Sequence, residues 1–243
     1  MSVGGAGSAG GAKPARRFLV PMVVVALACV MDAAAQTPRE WPGRVEVSFG
    51  AALNGGYAAG SETATLESNA VPTGGPFTLF EVQSDTRRSV AGAAGLAWRL
   101  ARSIAVEASI RIDRPLIRTS VSQDPEAAAV SFGGERFSRY VFDGSLLVHL
   151  AGLTSGNGRL VPYVIGGAGY MRQLHVGRTL VESGRAYHAG GGLKLLVARR
   201  DRGLAKGLGV RIEGRVNVVT GAIGFDDRRR IFGSIAGGAF VLF

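Results

Sequence analysis

From Val45 to the last residue, apolar and polar side chains alternate with a period of two, in stretches of ten or more residues broken by Gly, Asp, Asn and Arg. Successive side chains of an extended strand point to opposite faces, so this pattern predicts strands with one apolar and one polar face. The clearest stretch is Ile104 to Asp113: Ile104, Val106, Ala108, Ile110 and Ile112 share one face, and Glu107, Ser109, Arg111 and Asp113 share the other. Val210 to Val218 behaves alike, with Arg211, Glu213, Arg215 and Asn217 opposite Val210, Ile212, Gly214, Val216 and Val218. Eight stretches are expected, near 44–57, 87–100, 104–117, 137–150, 160–173, 186–198, 208–220 and 231–243. Residues 58–86 and 118–136 read as long loops.

The expected fold class is all-β: a single closed antiparallel up-and-down transmembrane β-barrel of about eight strands. Hydrocarbon offers no water to unpaired backbone groups, so only helices or edgeless barrels cross it. A tilted strand needs about 9–11 residues to do so, and these stretches suffice. Trp98, Tyr163 and Phe243 are expected near one lipid interface, and Tyr140, Phe142 and Tyr187 near the other.

The start of the chain changes the picture of where it folds. Lys13, Arg16 and Arg17 precede an apolar stretch from Phe18 to Val30, and Ala33 and Ala35 follow it. This is the layout of a secretory signal peptide over residues 1–35, cleaved after Ala35, with the barrel domain over 36–243. The apolar stretch falls short of the roughly 20 residues of a spanning helix. Cys29, the one cysteine, lies inside the signal, so lipid attachment there is the alternative to cleavage after Ala35. Removing Lys13, Arg16, Arg17 and Asp32 turns a net charge of +10 into +8. A basic chain invites a nucleic-acid reading, but export argues against it and favours anionic lipopolysaccharide.

The inward face is expected to carry Glu46, Arg99, Glu107, Arg111, Asp113, Arg139, Asp143, His149, Arg172, Lys194, Arg211, Glu213 and Arg215. An eight-stranded barrel is just wide enough for side chains to fill, so these groups should pair into a plug. Glu107, Arg111, Asp113, Arg211, Glu213 and Arg215 form the centre of that expected network. The inner face of the last strand, with Phe232, Ala236, Gly238, Phe240 and Leu242, is nearly uncharged. Asp143, Ser145 and His149 share a face and invite comparison with a nucleophilic triad. Ser145 and His149 would stand about 13 Å apart at about 3.3 Å per residue, beyond hydrogen-bond reach. Arg228, Arg229 and Arg230 follow Asp226-Asp227 in the last external connector and are expected to meet lipopolysaccharide phosphates.

The segment Val161-Pro162-Tyr163-Val164-Ile165-Gly166-Gly167-Ala168-Gly169-Tyr170 resembles a strand of the small outer-membrane barrels of the OmpA, OmpX and OmpW type. Gly190 to Lys194, Arg211 to Arg215 and the terminal Gly238, Val241 and Phe243 line up after it in order. The resemblance implies fold and a bacterial outer-membrane location reached by the secretory route. It also implies that Gly238, Val241 and Phe243 form the signal read by the barrel-assembly machinery, although Ala236 stands where a polar residue is usual. It brings no catalytic residue, cofactor or metal. The His-x-Ser pattern of lipid A deacylase barrels is missing at His149, His175 and His188, and Asp226-Asp227 lacks the nearby His of omptin-type proteases. The expected function is that of a monomeric structural or surface-interaction barrel without enzyme activity. Its alternative is a narrow channel or carrier for small or apolar solutes.

Overall fold

The computed structural model describes residues 41–66, 77–124, 128–155, 158–175, 181–200, 202–221 and 229–243. The signal peptide, the cleavage position and Cys29 therefore lie outside the described residues. Twelve strands are described: β1 (Val45–Asn54), β2 (Tyr57–Leu66), β3 (Phe77–Thr86), β4 (Ser89–Arg99), β5 (Ile104–Asp113), β6 (Leu116–Ser122), β7 (Val130–Arg136), β8 (Ser138–His149), β9 (Leu160–Leu174), β10 (Val181–Arg199), β11 (Gly207–Thr220) and β12 (Arg230–Leu242).

Eight of them close into an antiparallel barrel in the order β1-β12-β11-β10-β9-β8-β5-β4. Closure comes from β1, which pairs on one side with β12 (Glu46 opposite Leu242, Asn54 opposite Ser234) and on the other with β4 (Val45 opposite Trp98). Every barrel strand then has two neighbours, which leaves no open edge. The eight alternating stretches of the sequence correspond to these eight strands. The third is shorter than expected, because β5 stops at Asp113 and Pro115 follows, and proline cannot donate to a ladder. The sixth is longer, because β10 starts at Val181.

The described parts of the two expected loops are largely strand instead. β2, β3, β6 and β7 form a second antiparallel sheet in that order, beyond the end of the barrel opposite Trp41 and Phe243. Its centre is the β3–β6 pairing, where the Ser84 and Thr119 hydroxyls meet at 2.9 Å. Arg230, at the start of β12, donates to the Ala59 carbonyl of β2 and ties sheet to barrel.

The barrel is inverted relative to a water-soluble one. Large apolar side chains cover its outside, among them Phe49, Leu96, Trp98, Phe142, Tyr187 and Ile235. Charged and amide side chains fill its inside, among them Lys194, Arg139, Gln173 and Asn217.

Candidate functional site

The interior is built in tiers, each made by inward positions of facing strands. In the middle tier Arg211 of β11 donates to Glu107 of β5 through Nη1 at 2.6 Å and Nη2 at 3.3 Å, and its Nη2 reaches Glu213 at 2.8 Å. Arg215 pairs with Glu213 through Nε. The Tyr163 hydroxyl donates to Glu213 Oε2 at 2.6 Å. Towards Trp41 and Phe243, Lys194 Nζ of β10 meets Glu46 Oε2 of β1 at 2.7 Å. Towards the far end, Arg111 clasps Asp143 through Nε (3.0 Å) and Nη2 (2.8 Å). Beyond it Asp113 accepts from Arg139 Nε at 2.9 Å, Ser89 Oγ at 2.6 Å and Asn54 Nδ2 at 2.9 Å. Glu46, Glu107, Asp113, Asp143 and Glu213 are thus each matched by a cation among Lys194, Arg211, Arg139, Arg111 and Arg215.

Charges out of water are tolerable only when paired and hydrogen-bonded, which this arrangement provides. The space left beside Glu107, Arg111, Arg211 and Arg215 is about 50 Å³, room for one or two waters. Of the six residues expected to form a network, the structure brings Glu107, Arg211, Glu213 and Arg215 together in the middle tier and places Arg111 and Asp113 in the two tiers beyond it, paired with Asp143 and Arg139.

The nearly uncharged inner face of β12 has a role at each end of this column. Phe240 stacks on Trp41 at 5.7 Å between ring centres, and the Lys194 ammonium lies 5.7 Å from the Phe240 ring and 5.3 Å from that of Tyr163. At the other end Phe232 stacks on Tyr57 at 5.2 Å and receives the Arg139 guanidinium at 5.5 Å. These rings cover the outermost ion pairs and place cations over aromatic faces.

Three expectations are corrected. Tyr163 belongs to the interior: its ring is fully buried and its hydroxyl serves Glu213, so it is not part of an outer aromatic band. Arg172 points outward and is exposed, because Met171 and Gln173 take the inward positions of β9. Arg230 is buried against β2 and so leaves the expected external cluster, whereas Arg229 is exposed and Arg228 lies outside the described residues. Ser145, expected to be out of reach of His149, meets a histidine that the sequence reading did not consider: its hydroxyl lies 3.0 Å from His188 Nε2. The contact spans from β8 to β10 across Gly167 of β9, where an added Cβ would stand 2.8 Å from Ser145 Oγ and 2.9 Å from the His188 ring. The triad geometry is incomplete, since His188 Nδ1 is 3.8 Å from Asp143 Oδ1, while Arg111 holds Asp143 Oδ2. Among the described residues no group of three His, Cys, Asp or Glu is placed to hold a metal ion.

At the end bearing Trp41 and Phe243 the column opens into a basin of about 600 Å³. Trp41, Arg44, Arg99, Arg102, His149 and Lys206 stand around it. Arg99 Nη1 donates to the carbonyls of Trp41 and Gly43, each at 3.2 Å, and its guanidinium stacks on the Trp41 ring at 5.6 Å. Sequence reasoning placed His149 and Arg99 inward but missed the basin, whose wall is shared by the segment before β1, the connections β4–β5, β8–β9 and β10–β11, and Phe243. Phe243 closes its rim, with its carbonyl accepting from Arg44 N at 2.8 Å and its own N–H donating to the Val45 carbonyl at 2.8 Å.

No protein-family model matches the chain, and no curated protein matches it. Among solved structures, the chain is similar to the outer membrane protein OprG from Pseudomonas aeruginosa, at 8% identity and a TM-score of 0.45, over 84% of this chain and 97% of that one.

Proposed function

We propose that this chain is an outer-membrane β-barrel protein that spans the lipid as a sealed cylinder and works through its surfaces, either stabilising the envelope or presenting the sheet β2-β3-β6-β7 to external partners. The observation that carries this reading is the combination of an apolar outer wall with an interior filled by matched ion pairs. Soluble monomers rarely expose contiguous apolar patches above a few hundred Å². Here large apolar side chains stand on every barrel strand, as a lipid contact requires. A conduit would need a continuous free path, and the cross-barrel pairs occupy it. Lipid and lipopolysaccharide are the partners of the wall, with Arg229 at the level where phosphates lie. The reading includes no chemical step and no nucleic acid, and the barrel is a monomer.

Two measurements test this reading. The protein is expected in the membrane fraction, with faster gel mobility before boiling than after. In planar bilayers it is expected to give no reproducible single-channel step; a step would favour the narrow channel or carrier.

Assembly supplies a further expectation. Val241 lies on the outer side of β12, and Phe243 holds the β1 end through its backbone. Deleting Phe243 is expected to lower the assembled barrel several-fold, read as heat-modifiable protein in membranes. Wild-type amounts would remove Gly238, Val241 and Phe243 from the role of an assembly signal.

A further inference from the structure

We propose that the outer wall of the barrel holds one phosphorylated glycolipid, seated where β8, β9 and β10 leave the apolar zone at the end bearing the second sheet. The proposal rests on the reading of the chain as an outer-membrane barrel with that sheet outside, so that lipopolysaccharide is the phosphorylated lipid beside it. Cross-strand pairing arranges the outward residues of the three strands in rows. Towards Trp41 and Phe243 the rows are apolar or glycine apart from the tyrosine hydroxyl: Gly144, Ala168 and Tyr187 in one, Leu146, Gly166 and Ala189 in the next. The two rows at the sheet end differ. One holds Phe142, Tyr170 and Arg185, and the last holds Tyr140, Arg172 and Ser183. Arg172 and Arg185 are exposed, and their stems can lie on the apolar wall while their charges reach the headgroup layer.

The register sets the geometry of this patch. Arg172 lies opposite Ser183 and Arg185 opposite Tyr170, so the four residues form a square. One diagonal is closed by a hydrogen bond between the Tyr170 and Ser183 hydroxyls at 2.6 Å. The arginines stand on the other, at the separation of about 7–8 Å usual for diagonal neighbours. A phosphoryl group seated over the hydroxyl pair therefore meets a guanidinium from each side. It carries about −1.5 to −2 charge and three acceptor oxygens, which the donor fork of arginine matches. A second observation concerns the rest of the ligand. From the square towards Trp41 and Phe243, β9 turns Ala168 and Gly166 outward between Leu146 of β8 and Tyr187 of β10. A Cβ added at Gly166 would meet only the His188 carbonyl oxygen, at 3.8 Å, so the furrow is open on the lipid side. An acyl chain can lie there against the exposed Leu146 and Tyr187 side chains. A lipid gains from both the square and the furrow, whereas a free phosphate gains from the square alone.

Native mass spectrometry of the folded barrel in detergent tests this, once gel mobility has shown each preparation to be heat-modifiable. The probes are lipid A with both phosphates, the same glycolipid without them, and phosphatidylglycerol. Wild-type protein is expected to saturate with one phosphorylated lipid A and to bind the dephosphorylated form at least tenfold more weakly. Arg172→Gln and Arg185→Gln, at exposed positions, should each weaken binding several-fold and together remove the preference for phosphate. Gly166→Val, which fills the furrow, should weaken both forms of lipid A alike. Lys206→Gln, an exposed cation beside the Leu242 carbonyl at the opposite end, is expected to leave binding unchanged. Equal affinity for the two forms of lipid A overturns the proposal, as does wild-type affinity in the folded double arginine variant. Phosphatidylglycerol bound as tightly as lipid A overturns it too, since any anionic lipid would then serve. Absence from membranes or of the heat-modifiable form would instead overturn the barrel reading, so the two failures are distinguishable.

Discussion

Arg211→Ala is expected to destabilise the folded barrel by about 3–5 kcal/mol, the cost of breaking a buried ion pair by removing one partner. The guanidinium of Arg211 bonds both Glu107 and Glu213 and lies 3.7 Å from Glu46 Oε1. Its loss leaves Glu107 with Arg215 at 3.7 Å as its remaining partner in the tier. A surface arginine removed from a solvated pair would cost about 0–1 kcal/mol, so the two origins separate cleanly. The measurement is the urea midpoint of unfolding from lipid vesicles, followed by tryptophan fluorescence and gel mobility. Adding Glu107→Gln to Arg211→Ala should recover part of the loss, since the orphaned charge is removed. An unchanged midpoint in Arg211→Ala would show that the central tier does not hold the barrel together.

The second large effect is steric. Gly192 lies inward on β10, and an added Cβ would stand 2.4 Å from the Ile212 carbonyl oxygen, 2.6 Å from Tyr163 Oη and 2.7 Å from its Cζ. The tyrosine cannot retreat without giving up Glu213, and the carbonyl is fixed in the β10–β11 ladder. Gly192→Ala is therefore expected to cost about 3 kcal/mol, the upper end of the usual overpacking range. Gly192→Leu should abolish the heat-modifiable form. Gly214, two residues beyond Ile212, gives the contrast: a Cβ there meets nothing within 4 Å. Gly214→Ala is expected to fall within about 0.5 kcal/mol of wild type. Equal effects at the two sites would mean that backbone entropy, not the Tyr163 contact, sets the cost.

The barrel strands were legible in the sequence wherever one face is polar. Ile104 to Asp113 carries its inward set as charged and hydroxyl side chains, and β5 has those same bounds. Legibility fails in β9, where Val161, Tyr163 and Ile165 on one face oppose Pro162, Val164 and Gly166 on the other. With both faces apolar, parity rests on the single hydroxyl of Tyr163, whose acceptor lies 50 residues away on β11. The same ambiguity sent Arg172 inward in place of Gln173. In the far sheet, Ser61-Glu62-Thr63-Ala64-Thr65 has too little apolar contrast to announce a strand, and β3 meets β6 across residues 35 apart. The Ser145–His188 contact joins strands that are not neighbours, so spacing along one strand could not reveal it. Aromatic covers at the two ends of the charge column were visible as residues, Phe232 and Phe240, but not as covers.

The ion pairs of the interior also set an order of events. Glu46 and Lys194 lie 148 residues apart, and Glu107 and Arg211 lie 104 apart. Neither pair can form while β1 and β12 are separate, because only the closed ring brings these strands face to face. A partly closed sheet would therefore carry several unpaired charges towards hydrocarbon, at a cost that rises with each strand inserted. On the proposed reading of a sealed membrane cylinder, insertion and closure are expected to be coupled into one late step, the side chains that fill the finished ring holding an unfinished chain at the water interface until its last strand arrives.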